Sequence, residues 1–128
     1  MPKLIRITII LLLLSLVGCD NTCDNEILQR GVDPSGKVEF IYVRGNCGAT
    51  TSYSHHIYIV PSGKSHEKIE SVFTVDKIEK LELKWLASAQ LQISYKAARI
   101  FKFTNFWQSK EVDNFKYEVK INLNDKSI

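Results

Sequence analysis

The polar and apolar residues after Cys23 alternate with a period close to two, which indicates β-strands. Residues 37–44 (KVEFIYVR), residues 54–60 (SHHIYIV) and Arg99–Phe103 (RIFKF) each predict a strand. The first of these follows Asp33-Pro34-Ser35-Gly36. Proline and glycine favour the dihedral angles of a turn, so this segment predicts a tight turn before the strand.

The second half of the chain continues the pattern. Apolar residues alternate on both sides of an Ala-Ser-Ala-Gln segment, which predicts a hairpin with Leu81, Leu83 and Trp85 before it and Leu91, Ile93 and Tyr95 after it. A last strand is predicted by the alternation of Phe115, Tyr117, Val119, Ile121 and Leu123. Residues 64–85 fit both helical and strand spacing, and strands are favoured there. The sequence predicts a mainly β domain, a small antiparallel sheet or meander of about six short strands, with room for one short helix.

The first 18 residues have the pattern of a secretory signal peptide. Lys3 and Arg6 precede an apolar run at residues 7–14 (ITIILLLL), and small residues follow before Cys19. The run is about half as long as the roughly 20 apolar residues that span a bilayer. We therefore expect a signal helix that is removed, and no permanent transmembrane helix.

The segment Leu16-Val17-Gly18-Cys19 resembles the bacterial lipobox. The resemblance implies cleavage before Cys19, a diacylglycerol on its thiol and an acyl chain such as palmitate on the new amino group. Several acyl chains hold a protein firmly, because each buried methylene adds about 0.8 kcal/mol. We expect a signal peptide at residues 1–18, a lipidated tether at residues 19–24 and a single β-rich domain at residues 25–128.

The lipid anchor predicts the location of the protein. Asp20 resembles the signal that keeps some Gram-negative lipoproteins in the inner membrane. We therefore expect a domain anchored to the cell membrane and facing the periplasm or the exterior, with the inner membrane favoured in a Gram-negative cell.

Lipidation of Cys19 leaves Cys23 and Cys47 in a compartment that permits disulfides. A bond between them closes a loop of 25 residues, both cysteines included. On the chain-entropy model such a loop stabilises the fold by about 3.5 kcal/mol. We therefore expect a Cys23–Cys47 disulfide.

The charges do not favour nucleic acid as a partner. The chain has 17 lysines and arginines against 14 acidic residues, and the signal peptide contains two of the basic ones. Opposite charges are interleaved along the rest of the chain, as on a solvated surface. Residues 96–120 place Phe101, Phe103, Phe106 and Trp107 among lysines, a pattern that can stack on bases. Secretion separates the domain from nucleic acid, and alternating strands give the same pattern.

Three segments together resemble a family of small, uncharacterised bacterial lipoproteins and envelope proteins that share a CGATT segment. They are residues 33–37 (DPSGK), residues 47–54 (CGATTSYS), and Trp85-Leu86 followed by residues 91–95 (LQISY). The resemblance implies an envelope location and a small β fold, without an established activity.

The segment from Asn46 to His56 concentrates the reactive side chains. A thiol enzyme would need a free Cys47 beside His55 or His56 as its base. A metal site is not favoured, since adjacent residues of a strand point to opposite faces and His55 and His56 would not share an ion. We favour a turn held by the disulfide and predict no catalytic residue, metal or cofactor. A candidate binding loop contains Gly48, Thr50, Thr51, Tyr53 and His55.

Two classes of function follow from these observations. The favoured one is a membrane-anchored, non-enzymatic binding or accessory module that engages another envelope protein or a polymer. An immunity lipoprotein against a secreted toxin is an alternative within the same class. A thiol or hydrolytic enzyme that uses Cys47 with His55 or His56 is the less favoured class.

Overall fold

The computed structural model of the protein describes residues 23–48 and 51–126. Within these ranges the chain forms nine strands and one 3-10 turn: β1 (Asp24–Val32), β2 (Val38–Asn46), β3 (Ser54–Pro61), β4 (Phe73–Asp76), β5 (Lys80–Ala87), β6 (Gln90–Lys96), β7 (Arg99–Phe103), β8 (Phe106–Trp107), the turn at Asp113–Phe115, and β9 (Val119–Asp125). The predicted mainly β fold and its Cys23–Cys47 disulfide are confirmed. No helix of the described part is long and apolar enough to cross a membrane.

The strands form two sheets. The first contains five strands in the order β1-β2-β3-β4-β7, and the second contains four in the order β5-β6-β9-β8. All neighbours are antiparallel except β6 and β9, which run parallel. The structure thus has more strands than the six or so expected, and they lie in two sheets. The additional strands are β1, whose residues are exposed at nearly every position, and β8, which is two residues long.

The two sheets pack face to face around one main core. Each strand contributes alternate residues, as the period of two requires. The core residues are Val38, Phe40, Ile57, Ile59, Phe73 and Val75 from the first sheet and Leu91, Ile93, Val119 and Ile121 from the second. Trp85 packs on Phe40 and donates its indole N–H to the carbonyl oxygen of Gly31 at 2.9 Å, which fixes β5 against β1.

The predicted segments are mostly strands of the structure. β2, β3 and β7 occupy the three segments expected, and β5 and β6 form the predicted hairpin. The favoured interpretation of residues 64–85 is confirmed, because β4 and most of β5 lie there and no helix does.

The prediction for the last strand was wrong at its beginning. β9 starts at Val119, and Phe115 lies in the 3-10 turn, where Asp113, Asn114 and Phe115 all have positive φ. This segment contacts the turn between β1 and β2, since Lys37 Nζ pairs with Asp113 at 2.6 Å in an exposed ion pair. The alternation before Val119 therefore comes from a turn that crosses the end of the sandwich.

Candidate functional site

The disulfide closes the open end of the β1–β2 hairpin. Cys23 precedes β1 and Cys47 follows β2, and their neighbours Asp24 and Asn46 are partners in the ladder between the strands. We call this the disulfide end of the domain. The predicted lipidation site, Cys19, lies outside the described residues.

The disulfide removes the nucleophile from the thiol-enzyme hypothesis, because an oxidised Cys47 has no thiolate. His55 and His56 lie on opposite faces of β3, as the strand prediction requires. His55 Nδ1 lies 2.5 Å from the hydroxyl of Tyr42, whereas His56 Nδ1 lies 3.2 Å from Thr74 Oγ1. Burial lowers the pKa of both imidazoles. In residues 23–48 and 51–126 no group of three histidine, cysteine or acidic side chains is placed to hold a metal ion.

The candidate binding loop is only partly described, since Thr50 lies outside the described residues. Gly48 has a φ of 133°, which favours glycine, and its carbonyl oxygen accepts a bond of 3.1 Å from Thr51 Oγ1. Tyr53 is exposed, with the guanidinium of Arg44 4.7 Å from the centre of its ring. These contacts tie the loop to itself and to β2 and form a small exposed surface at the disulfide end.

A groove of about 480 Å³ opens at the opposite end of the sandwich. Its apolar surface comes from the end of β3, from the loop before β4 and from β8, with Ile59, Val60, Ile69, Val72, Phe106 and Trp107. The first two and Val72 are buried, while Ile69 and Phe106 are exposed. We call this cavity the Trp107 groove.

Polar side chains surround the Trp107 groove. Two of them, Lys102 and Glu70, form an ion pair with 3.1 Å between Nζ and the carboxylate. Among the described residues, the side chains of Lys64, Gln108 and Glu111 make no hydrogen bond or ion pair, and they also line the groove. The groove therefore combines buried apolar residues with exposed polar side chains that are free to contact a ligand.

Sequence reasoning missed the Trp107 groove. Its lining comes from segments around residues 60, 70, 103 and 108, which only the folded chain brings together. The one available signal is the aromatic run that includes Phe106 and Trp107, which alternating strands and stacking on bases explain equally well.

A second polar cluster lies at the groove end and centres on Asp33, which is 3% exposed. Its carboxylate accepts hydrogen bonds from Tyr117 Oη, from Ser35 Oγ at 2.7 Å and from the Ala89 N–H at 3.1 Å. Burial raises the pKa of Asp33, but these hydrogen bonds outweigh it and the net pKa is lowered. Because Tyr117 Oη also lies 2.7 Å from Ser35 Oγ, the cluster is closed on itself and joins three turns.

Together these features define a small disulfide-bonded β-sandwich with an amphipathic groove at one end. No family model, curated protein or solved structure matches the chain. The resemblance to the CGATT lipoproteins stays a prediction.

Proposed function

We propose that the protein is a membrane-anchored envelope lipoprotein whose domain is a non-enzymatic binding module, with the Trp107 groove as its binding site. The observation that carries the proposal is the position of the groove at the end of the sandwich opposite the disulfide. An anchor at one end and a recessed surface at the other suit a protein that presents a binding site away from a membrane.

The distances fit this arrangement. β2 runs from the groove end to the disulfide end and has nine residues, which corresponds to about 26 Å at 3.3 Å per residue. Cys19 lies four positions before Cys23, and four residues of extended chain reach at most about 14 Å. A lipid on Cys19 would therefore hold the disulfide end near the bilayer, with the groove facing the aqueous side.

The hydroxyls around the groove support binding over hydrolysis. Ser71 Oγ contacts Thr74 Oγ1 at 2.5 Å, and Ser65 and Ser109 accept bonds from the backbone N–H groups of Glu67 and Glu111. A serine nucleophile needs a base within hydrogen-bond reach. Among the described residues, none of these three serines is bonded directly to a histidine or a carboxylate, and Ser71 is linked to His56 only through Thr74 Oγ1.

The anchor is tested on protein purified from membranes. Mass spectrometry of the N-terminal peptide should show cleavage before Cys19 and a diacylglycerol on that residue. The Cys19→Ser variant should leave the membrane fraction or retain its signal peptide. An N-terminal peptide without lipid would contradict the anchor.

The binding role is tested separately by photocrosslinking in cells, with the photoreactive residue at position 106 or 115. Phe106 and Phe115 are each 48% exposed, but only Phe106 lines the groove, so position 115 is a matched control. A discrete crosslinked species at position 106 alone is the expected result, and a secreted toxin as that species would select the immunity hypothesis. Equal patterns at both positions would refute the groove as the binding site.

A further inference from the structure

We propose that the Trp107 groove binds a neutral oligosaccharide. The inference rests on the proposed function, because it specifies the ligand of the same groove. Its basis is the combination of aromatic surface, unpaired hydrogen-bonding groups and balanced charge in one cavity.

The aromatic surface comes from the edge of the second sheet. β8 is two residues long and lies at the edge of the second sheet, where it pairs with β9. Phe106 is exposed, while Trp107 is half-buried and packs on the core, and both residues line the groove. A sugar ring presents a face of C–H groups, and such a face packs on an exposed aromatic ring.

The unpaired polar groups match hydroxyls. No buried side-chain nitrogen or oxygen of the described residues lacks a partner. The indole N–H of Trp107 makes no hydrogen bond with those residues, so solvent must reach it. Trp107 offers a donor, Glu111 offers acceptors and the amide of Gln108 offers both. A sugar hydroxyl also donates and accepts, and can satisfy this mixed set.

The charges of the groove favour a neutral ligand. Its lining includes two lysines and two glutamates, for a formal sum of zero. Lys102 and Glu70 already pair with each other, leaving Lys64 and Glu111 as one charge of each sign. The attraction of a polyanion to Lys64 would be offset by its repulsion from Glu111, so electrostatic complementarity does not favour a polyanion.

The size of the cavity agrees with a short oligosaccharide. Its volume of about 480 Å³ lies within the range of roughly 300 to 1,000 Å³ for small-molecule sites. The exposed apolar side chains in it are Ile69 and Phe106. This surface suits one or two sugar faces and is small for the apolar side of a helix.

The test is calorimetric titration of the full lipoprotein in a polyoxyethylene detergent, which has no sugar head group. The probes are the tetramers of N-acetylglucosamine, of β-1,4-linked glucose and of α-1,4-linked glucose. We expect one of them to bind and to change the fluorescence of Trp107. Trp85 is a weaker reporter, because its indole N–H is already bonded to Gly31.

Variants locate the binding. Phe106→Ala should weaken it about three- to tenfold, the range of a single aromatic contact, and Gln108→Ala should weaken it as well. Phe115→Ala is the matched control and should bind as the parent does. Equal urea midpoints for the two phenylalanine variants would show that folding is not the cause.

The outcomes separate the two proposals. If no tetramer binds at millimolar concentration while crosslinking at position 106 captures a protein, the oligosaccharide inference is wrong and the binding module stands. If a tetramer binds but neither Phe106→Ala nor Phe115→Ala changes its affinity, the ligand lies elsewhere and the inference is wrong. Specific binding by a protein without lipid on Cys19 would support the inference and refute only the anchor.

Discussion

Reduction of the Cys23–Cys47 disulfide should lower the free energy of unfolding by about 3.5 kcal/mol. The cysteines are 24 positions apart, and the chain-entropy model assigns a loop of about 25 residues an entropy of roughly 12 cal/mol/K. A domain of this size is stable by about 5 to 15 kcal/mol. The bond therefore contributes a large share of the net stability.

The structure indicates why the effect should act on the unfolded chain. The ladder between β1 and β2 extends from Asp24 and Asn46 to Val32 and Glu39, so native hydrogen bonds hold the hairpin without the disulfide. We expect the reduced protein to keep its near-ultraviolet circular dichroism at neutral pH. Its unfolded state should be more expanded, which increases the dependence of unfolding on urea.

The assay is urea unfolding of the purified lipoprotein with and without reductant, beside the Cys23→Ala/Cys47→Ala variant. The reduced protein and the double variant should agree with each other. A loss below about 1 kcal/mol would refute the loop-entropy reasoning. If near-ultraviolet dichroism disappeared on reduction, the disulfide would instead be holding the native hairpin itself.

Three further predictions concern Asp33, the two histidines of β3 and Gly31. Asp33→Asn should cost about 2 to 3 kcal/mol at pH 7, because the bonds from Tyr117 and Ala89 lose a charged acceptor. The lowered pKa of Asp33 gives stability that is present above its unfolded pKa of about 3.9 and is lost as pH falls through the folded pKa. The urea midpoint should therefore change less between pH 7 and pH 3 in Asp33→Asn than in the parent protein. An equal change in both proteins would contradict the assignment of this pH dependence to Asp33. Burial lowers the pKa of His55 and His56 in the folded protein. The free energy of unfolding should therefore fall as pH drops below the unfolded pKa of about 6.5, and it should stop falling once pH is below the folded pKa values. NMR titration of both imidazoles should show the lowered pKa values, and the double glutamine variant should flatten this part of the stability curve. Gly31→Ala should cost about 1 to 3 kcal/mol, because its Cβ would lie 2.3 Å from a ring carbon of Phe40, a side chain 3% exposed. Gly45→Ala should cost less, since its Cβ meets Ser54 Oγ, a small group whose rotation gives up one hydrogen bond of 3.0 Å with His56 Nε2; an equal loss in thermal melts of the two variants would oppose this reasoning.

Alternation predicted the strands that have one face in the core. Val38 and Phe40 of β2 and Ile57 and Ile59 of β3 repeat every second residue because the inner face is buried. β1 gives no such pattern: it lies at the edge of its sheet, and all its residues except Gly31 are exposed. The sequence indicates the place of β1 only through the predicted disulfide, which joins the start of the domain to the end of β2.

The sequence pattern failed where distant contacts decide the local conformation. Phe115 and Tyr117 continue the alternation of β9, but Lys37 binds Asp113 and Tyr117 binds Asp33. Those contacts join positions 76 and 84 residues apart in the chain. The Trp107 groove was missed for the same reason, because no local window contains its lining.

The β1–β2 hairpin is held at both ends, which affects how the proposed lipid anchor would position the domain. The disulfide joins its strands at one end, while Asp33 at the other binds the β5–β6 turn through Ala89 and the segment before β9 through Tyr117. The strand nearest the proposed lipid is therefore coupled to both sheets at the groove end. Three residues separate Cys19 from Cys23. A lipid at Cys19 would thus restrict the height of the groove above the bilayer, because the path between them contains a short tether and then a hairpin held at two points.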